Sequence, residues 1–176
     1  MFAPIPNDTI LDDVVIPMLI AMEGYRVAYD REAIAYDPQA LDPVRETIRK
    51  QRTLIGNYQM LIRYPRWLLP WHNRLWWQLI SHKYLRLLAP VFLMLAFVAN
   101  LSLIASPYYA TLLVGQCCFY LCALVGICNP SNRTRLFSLP GGFLFLNVMV
   151  LRSLGTFLFN SHPSWPKPAG NRSHQD

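Results

Sequence analysis

Two adjacent carboxylates, Asp12 and Asp13, lie inside the apolar run Thr9-Ile-Leu-Asp-Asp-Val-Val-Ile-Pro-Met-Leu-Ile. A carboxylate so placed can act as a general base, taking a proton from a reacting hydroxyl. Helix chemistry gives the competing account: Asn7 or Asp8 caps a helix starting near Thr9, and acidic groups in its first turn suit the positive end of the dipole. With that start Asp13 falls more than a turn inside, so the dipole explains Asp8 better than Asp13. Few other groups offer chemistry. No Asp-x-Asp, glycine-rich phosphate loop or nucleophile elbow occurs. Cys117, Cys118, Cys122 and Cys128 match no zinc spacing and read as small apolar side chains of a membrane helix.

The elements that would position the acidic pair follow from local pattern. Thr9 to Glu23 reads as a helix stopped at Gly24, with Pro17 kinking or shortening it. Tyr25-Arg-Val-Ala-Tyr-Asp alternates and predicts a short strand, and Ala33-Ile-Ala-Tyr-Asp a second. Residues 42–62 open with a proline in the first turn and repeat apolar groups at helical spacing, Ile48, Leu54, Ile55, Tyr58 and Ile62. Pro65, Pro70 and the tryptophans after them predict short amphipathic helices in the plane of a membrane interface.

Charge is sharply partitioned along the 176 residues. All ten acidic residues except Asp176 lie at or before Glu46, so the N-terminal piece faces water. From Leu87 to Asn132 there is no charged residue and no histidine. Roughly 20 apolar residues cross a bilayer, so this stretch holds two membrane helices, about 84–105 and 108–128. Between the two regions, Arg45, Arg49, Lys50, Arg52, Arg63, Arg66, Arg74, Lys83 and Arg86 interleave with Tyr58, Tyr64, Trp67, Trp71, Trp76 and Trp77. A pI near 9.4 with interleaved aromatics is also the footprint of nucleic-acid binding. The basic stretch runs straight into the uncharged one, which makes it a membrane collar touching lipid and not a nucleic-acid surface.

Residues 139–160 are apolar enough for a third helix, but Asn147 and Arg152 lie within it and a charge in mid-bilayer is costly. A re-entrant or interfacial helix is the expectation, with a full span as the alternative. Arg133 and Arg135 follow the second span, so the positive-inside rule places residues before Tyr84 and around Arg133 in the cytoplasm and the 105–108 turn outside. The N-terminus lacks the basic and apolar regions of a signal peptide. A multi-pass protein of the cell (inner) membrane with a cytoplasmic N-terminal segment is expected. The tail 161–176, rich in Pro, Ser, Asn and Gly, is expected to be disordered.

The order of these features resembles the C-terminal half of a membrane-bound family 2 glycosyltransferase of the GT-A type, related to cellulose and hyaluronan synthases, over about residues 4–160. In that family a Thr-Glu-Asp motif precedes, by eleven residues, the Gly of a Gly-Trp or Gly-Tyr pair. Asp13 stands at the same distance from Gly24 (24 − 13 = 11), with Asp12 in place of Glu and Leu11 in place of Thr. The family's Gln-x-x-Arg-Trp motif, anchored on Gly56, falls on Arg49-Lys50-Gln51-Arg52-Thr53. Its Arg is kept as Arg52, while Arg49 replaces Gln and Thr53 replaces Trp. Loss of that Trp removes the acceptor-stacking group of processive synthases.

The resemblance implies an α-rich membrane protein fragment. Residues 1–62 would be a partial α/β GT-A remnant of helix plus short strands, residues 63–83 interfacial amphipathic helices, and residues 84–160 two to three membrane helices. It implies that Asp13 serves as catalytic base for an acceptor hydroxyl attacking a nucleotide sugar with inversion. Asp12, Arg49 and Arg52 would lie in the substrate site, the guanidiniums suited to diphosphate or lipid phosphate. The partners implied are membrane lipids, a nucleotide sugar and a glycan or lipid acceptor. No cofactor is expected in this chain, and a divalent metal, Mg or Mn, belongs to the full-length family on an upstream Asp-x-Asp. The chain begins mid-domain on this reading and is expected to be inactive alone, lacking the donor-binding half. The alternative is a non-catalytic small membrane anchor or assembly protein.

Overall fold

The computed structural model describes residues 4–28, 30, 32–34, 42–129 and 134–159. Its described residues form five principal helices: α1 (Asp12–Met22), α2 (Pro43–Arg63), α3 (Trp76–Ser102), α4 (Pro107–Cys128) and α5 (Arg135–Phe159), with a 3-10 turn at Pro65–Leu68. No strand is present among the described residues. Residues 25–28 have no regular secondary structure, which corrects the expected strand there and leaves a GT-A remnant with short strands unsupported. Alternation selects a strand only where a neighbouring strand completes the ladder, and an isolated pair is marginal even then. Part of the second expected strand, residues 35–37, lies outside the described residues, as do Arg133 and the tail 161–176.

Helix α1 starts three residues later than its sequence predicts. Asn7 and Asp8 do not cap it. Thr9 N–H bonds instead to the Pro6 carbonyl in a turn, and Leu11 stands at the N-cap without a side-chain bond. The stop at Gly24 is as expected: φ of +91° there is left-handed backbone that glycine adopts without Cβ strain. Helix α2 is capped by Asp42, whose carboxylate accepts the Val44 N–H at 3.0 Å.

One contiguous core ties the amphipathic half to the apolar half. Val15 and Met18 of α1, Leu54, Tyr58 and Met60 of α2, Trp67, Leu79, Tyr84 and Leu87, and Met149 and Val150 of α5 are all buried in it. At Gly56 the segment leading into α1 approaches α2 so closely that a Cβ would lie 2.5 Å from Leu11 Cγ. Helix α2 then seats on α5: the Tyr58 hydroxyl donates to the Val150 carbonyl at 3.3 Å, and its ring stacks on Phe157 at 6.0 Å between centroids.

Helices α3, α4 and α5 are each long and apolar enough to cross a membrane, as a multi-pass membrane protein requires. At 1.5 Å per residue, the 27 residues of α3 extend about 40 Å. Of the interfacial region expected at 63–83, only Pro65–Leu68 is a separate short element, because α3 begins at Trp76 and passes through a π-helical turn at Ile80–Tyr84. The third apolar helix is one unbroken element. Most apolar side chains on these helices are exposed, Met94, Val114, Leu121 and Phe145 among them, a surface that lipid would cover.

Polar groups and small residues hold the three together. Asn100 donates to Gln116 Oε1 at 3.0 Å, and Gln116 Nε2 reaches the Leu93 carbonyl at 3.3 Å and Tyr120 Oη at 2.9 Å. This network joins α3 to α4 where water would not compete. Helices α4 and α5 meet at Gly126 and Gly141. A Cβ on Gly126 would run into the Phe137 carbonyl, and Phe119 meets Phe143 edge-on at 5.8 Å.

Candidate functional site

With α1 starting at Asp12, both carboxylates of the acidic pair fall in its first turn and both are exposed. Asp12 accepts the Asp13 N–H at 3.1 Å. The favourable field at a helix N-terminus therefore accounts for Asp13 as readily as for Asp12. Arg49 and Arg52 are exposed on α2, whose Gly56 packs against Ile10 and Leu11 just ahead of α1. The two helices share one core through Val15, Met18, Leu54 and Tyr58. They do not pair the predicted carboxylates and guanidiniums, since none of the four side chains forms an ion pair among the described residues. Thr53, at the place of the family's Trp, turns its hydroxyl back to the Arg49 carbonyl at 3.0 Å and presents no stacking surface.

Several positioning contacts were not predicted. Gln59 of α2 accepts the Ile10 N–H at 3.0 Å through Oε1 and donates through Nε2 to the Asp8 carbonyl at 2.9 Å. Beside it the Arg63 guanidinium bonds the Asp8 carboxylate at 2.5 Å. That hydrogen bond holds the Arg63 pKa above its ordinary value. Gln59 and Arg63 thus fix the segment leading into the acidic pair, in place of a side-chain cap. Only their spacing of four on one face of α2 could have marked them. At the collar, buried Asn73 donates to the Trp67 carbonyl at 2.9 Å and accepts the Leu75 N–H at 2.8 Å, while Trp76 Nε1 donates to the Leu68 carbonyl at 2.7 Å. These bonds fold residues 67–76 into a compact corner ahead of α3.

Burial raises the Tyr58 phenol above its ordinary pKa, keeping it neutral at the α2–α5 contact. Asn57 Oδ1 and Ser153 Oγ, from the same two helices, are buried without a hydrogen-bond partner among the described residues. The described residues do not fit the divalent metal that the resemblance implies: they contain no group of three or more His, Cys, Asp or Glu able to hold an ion. A cavity of about 400 Å³ opens beside α1, lined by Met18, Ala21, Tyr25, Arg26, Arg74 and Leu75 together with Pro17 and Val27. The chain matches no family model, no curated protein and no solved structure.

Proposed function

We propose that this chain is the acceptor-side, membrane-anchoring part of an inverting glycosyltransferase, moving a sugar from a nucleotide sugar to a lipid-linked or polysaccharide acceptor at the cytoplasmic face of the cell (inner) membrane. One observation carries the reading. Ile10 and Leu11, which lead directly into Asp12 and Asp13, pack on Gly56 of the helix bearing Arg49 and Arg52, and that helix is seated on an apolar helix long enough to cross a membrane. On this reading the base and the two phosphate-binding cations stand exposed on elements that share one core with the apolar helix.

In this role Asp13 takes the proton of an acceptor hydroxyl as its oxygen bonds to the anomeric carbon. The bond from that carbon to the phosphate oxygen breaks, and its electron pair leaves with the nucleoside diphosphate. Arg49 and Arg52 offer bidentate donors to phosphate oxygens. The chain has no Asp-x-Asp and no phosphate loop, so donor binding is assigned to a polypeptide segment other than this one. Membranes carrying the chain should transfer no radiolabelled sugar from uridine or guanosine diphosphate sugars alone. They should transfer it when a donor-binding half is co-expressed. Absence of transfer with donor halves that are active beside other family members would remove the reading.

A second reading, a non-catalytic membrane anchor or assembly protein, is favoured by the exposure of Asp12 and Asp13 at a helix start where the dipole alone suffices to explain them.

A further inference from the structure

The cavity beside α1 has the composition of a site for an amphipathic anion. Its inner lining, or floor, is apolar, with buried Met18 and half-buried Ala21 of α1, and exposed Leu75 adds an apolar edge. Its rim carries two arginines from distant parts of the chain, Arg26 just after Gly24 and Arg74 in the corner before α3. Both are exposed, and neither has an ion-pair partner among the described residues. Their positions differ from those of Arg45, Lys50 and Arg63, which are paired with Asp42, Glu46 and Asp8.

The volume of about 400 Å³ lies within the roughly 300–1,000 Å³ typical of small-molecule sites. Trp71 and Trp77, 76% and 66% exposed, flank Arg74 in sequence, and tryptophans so exposed next to an apolar helix sit at headgroup level. Guanidinium is the side chain best matched to phosphate oxygens. A cationic rim over an apolar floor, at headgroup depth, is complementary to a lipid phosphate with its chain turned inward.

We infer that the trough between α1 and the 67–76 corner binds a single lipid through its phosphate headgroup, Arg26 and Arg74 holding the phosphate and the Met18–Ala21 floor receiving the first part of the chain. The site requires the collar to lie at a membrane but not the glycosyltransferase reading. Its loss would leave that reading standing.

The test is native mass spectrometry of the full chain released from nanodiscs of phosphatidylcholine containing phosphatidic acid. One phosphatidic acid per chain should be retained. The double substitution Arg26→Gln/Arg74→Gln should weaken retention roughly tenfold or more, since two charge-assisted contacts are lost. Ala21→Phe, which fills the floor and leaves both arginines, should weaken it too. Arg45→Gln/Lys50→Gln, which removes equal charge elsewhere, should not. Helical content by circular dichroism verifies that each variant is folded. Equal loss in the Arg45/Lys50 variant would reduce the effect to general surface charge and overturn the site. So would unchanged retention in the Arg26/Arg74 or Ala21 variants, or displacement of the lipid by inorganic phosphate at equal concentration, which would deny the chain any part in binding.

Discussion

Adjacent positions on a helix point about 100° apart, so Asp12 and Asp13 cannot both address one hydroxyl. A base acts chiefly in the transition state, and its removal lowers turnover while leaving substrate binding nearly intact. If Asp13 has the role proposed for it, then in an active glycosyltransferase carrying this segment Asp13→Asn should reduce kcat by roughly a hundredfold or more. Asp12→Asn should do less, its carboxylate already being engaged by the Asp13 N–H. Steady-state transfer rates distinguish the outcomes: the reverse order shifts the register by one residue, and silence in both leaves only the helix dipole. Tyr58 gives a test independent of catalysis. Its folded pKa lies above the ordinary 10.0 through burial. Below pH 10 both folded and unfolded states keep the proton and pH has no leverage. Above it the unfolded phenol ionises first, so stability falls as pH rises through the ordinary value and on to the folded one. Tyr58→Phe, which also loses the hydrogen bond to Val150, should lose less stability between neutral pH and pH above 10 than the parent does, followed by circular dichroism in detergent, and an equal alkaline loss would show that ionisation of this phenol does not drive it.

At the scale of elements, the seam between α2 and the segment of Ile10 and Leu11 ahead of α1 depends on one missing side chain. Gly56→Val should cost about 1–3 kcal/mol by overpacking, read as a lower Tm, because its Cβ meets Leu11 Cγ, an inner atom of that side chain. Leu11→Ala in the same chain should recover part of the loss, since neighbouring substitutions couple. Additive losses would mean that the seam is not where Gly56 works. Helix α2 was legible because its apolar spacing and Asp42-Pro43 start are purely local. The apolar helices were legible from composition, although α3 begins at Trp76 and not near Tyr84, its collar tryptophan turn being continuous with the span. The absence of the expected strand at 25–28 was not legible, because whether alternation becomes a strand depends on a partner that no local pattern supplies. Nor was the start of α1, where Gln59 and Arg63, far along the chain, replace the cap that Asn7 and Asp8 would have given. The acidic pair was singled out by type and spacing, but its exposure and its place in the first turn depend on that displaced start.

For the whole molecule the packing of α2 constrains which helices cross the membrane. Helix α2 precedes α3 in the chain, yet it lies along the second half of α5: Gln51 reaches Thr156 at 3.5 Å, and Tyr58 contacts Val150 and Phe157. The half of α2 holding Gln51 also carries exposed Arg45, Arg49, Lys50 and Arg52, which belong in water or headgroups. Three complete crossings between α2 and the end of α5 would leave them on opposite faces. Two crossings, by α3 and α4, leave them together. Helix α5 is long and apolar enough to cross by itself. A crossing would, however, set the exposed Arg152 against lipid and separate Val150–Phe157 from α2. We therefore expect α3 and α4 to span, with α5 tilted into the same interface as α2. Reporter fusions placed after residues 105, 134 and 159 read this directly, using paired alkaline phosphatase and fluorescent protein partners. The fusion at 105 should report the outside, and those at 134 and 159 the cytoplasm. An external reporter at 159 would make α5 a third span and would require the contact between α2 and α5 to break when the protein enters the bilayer.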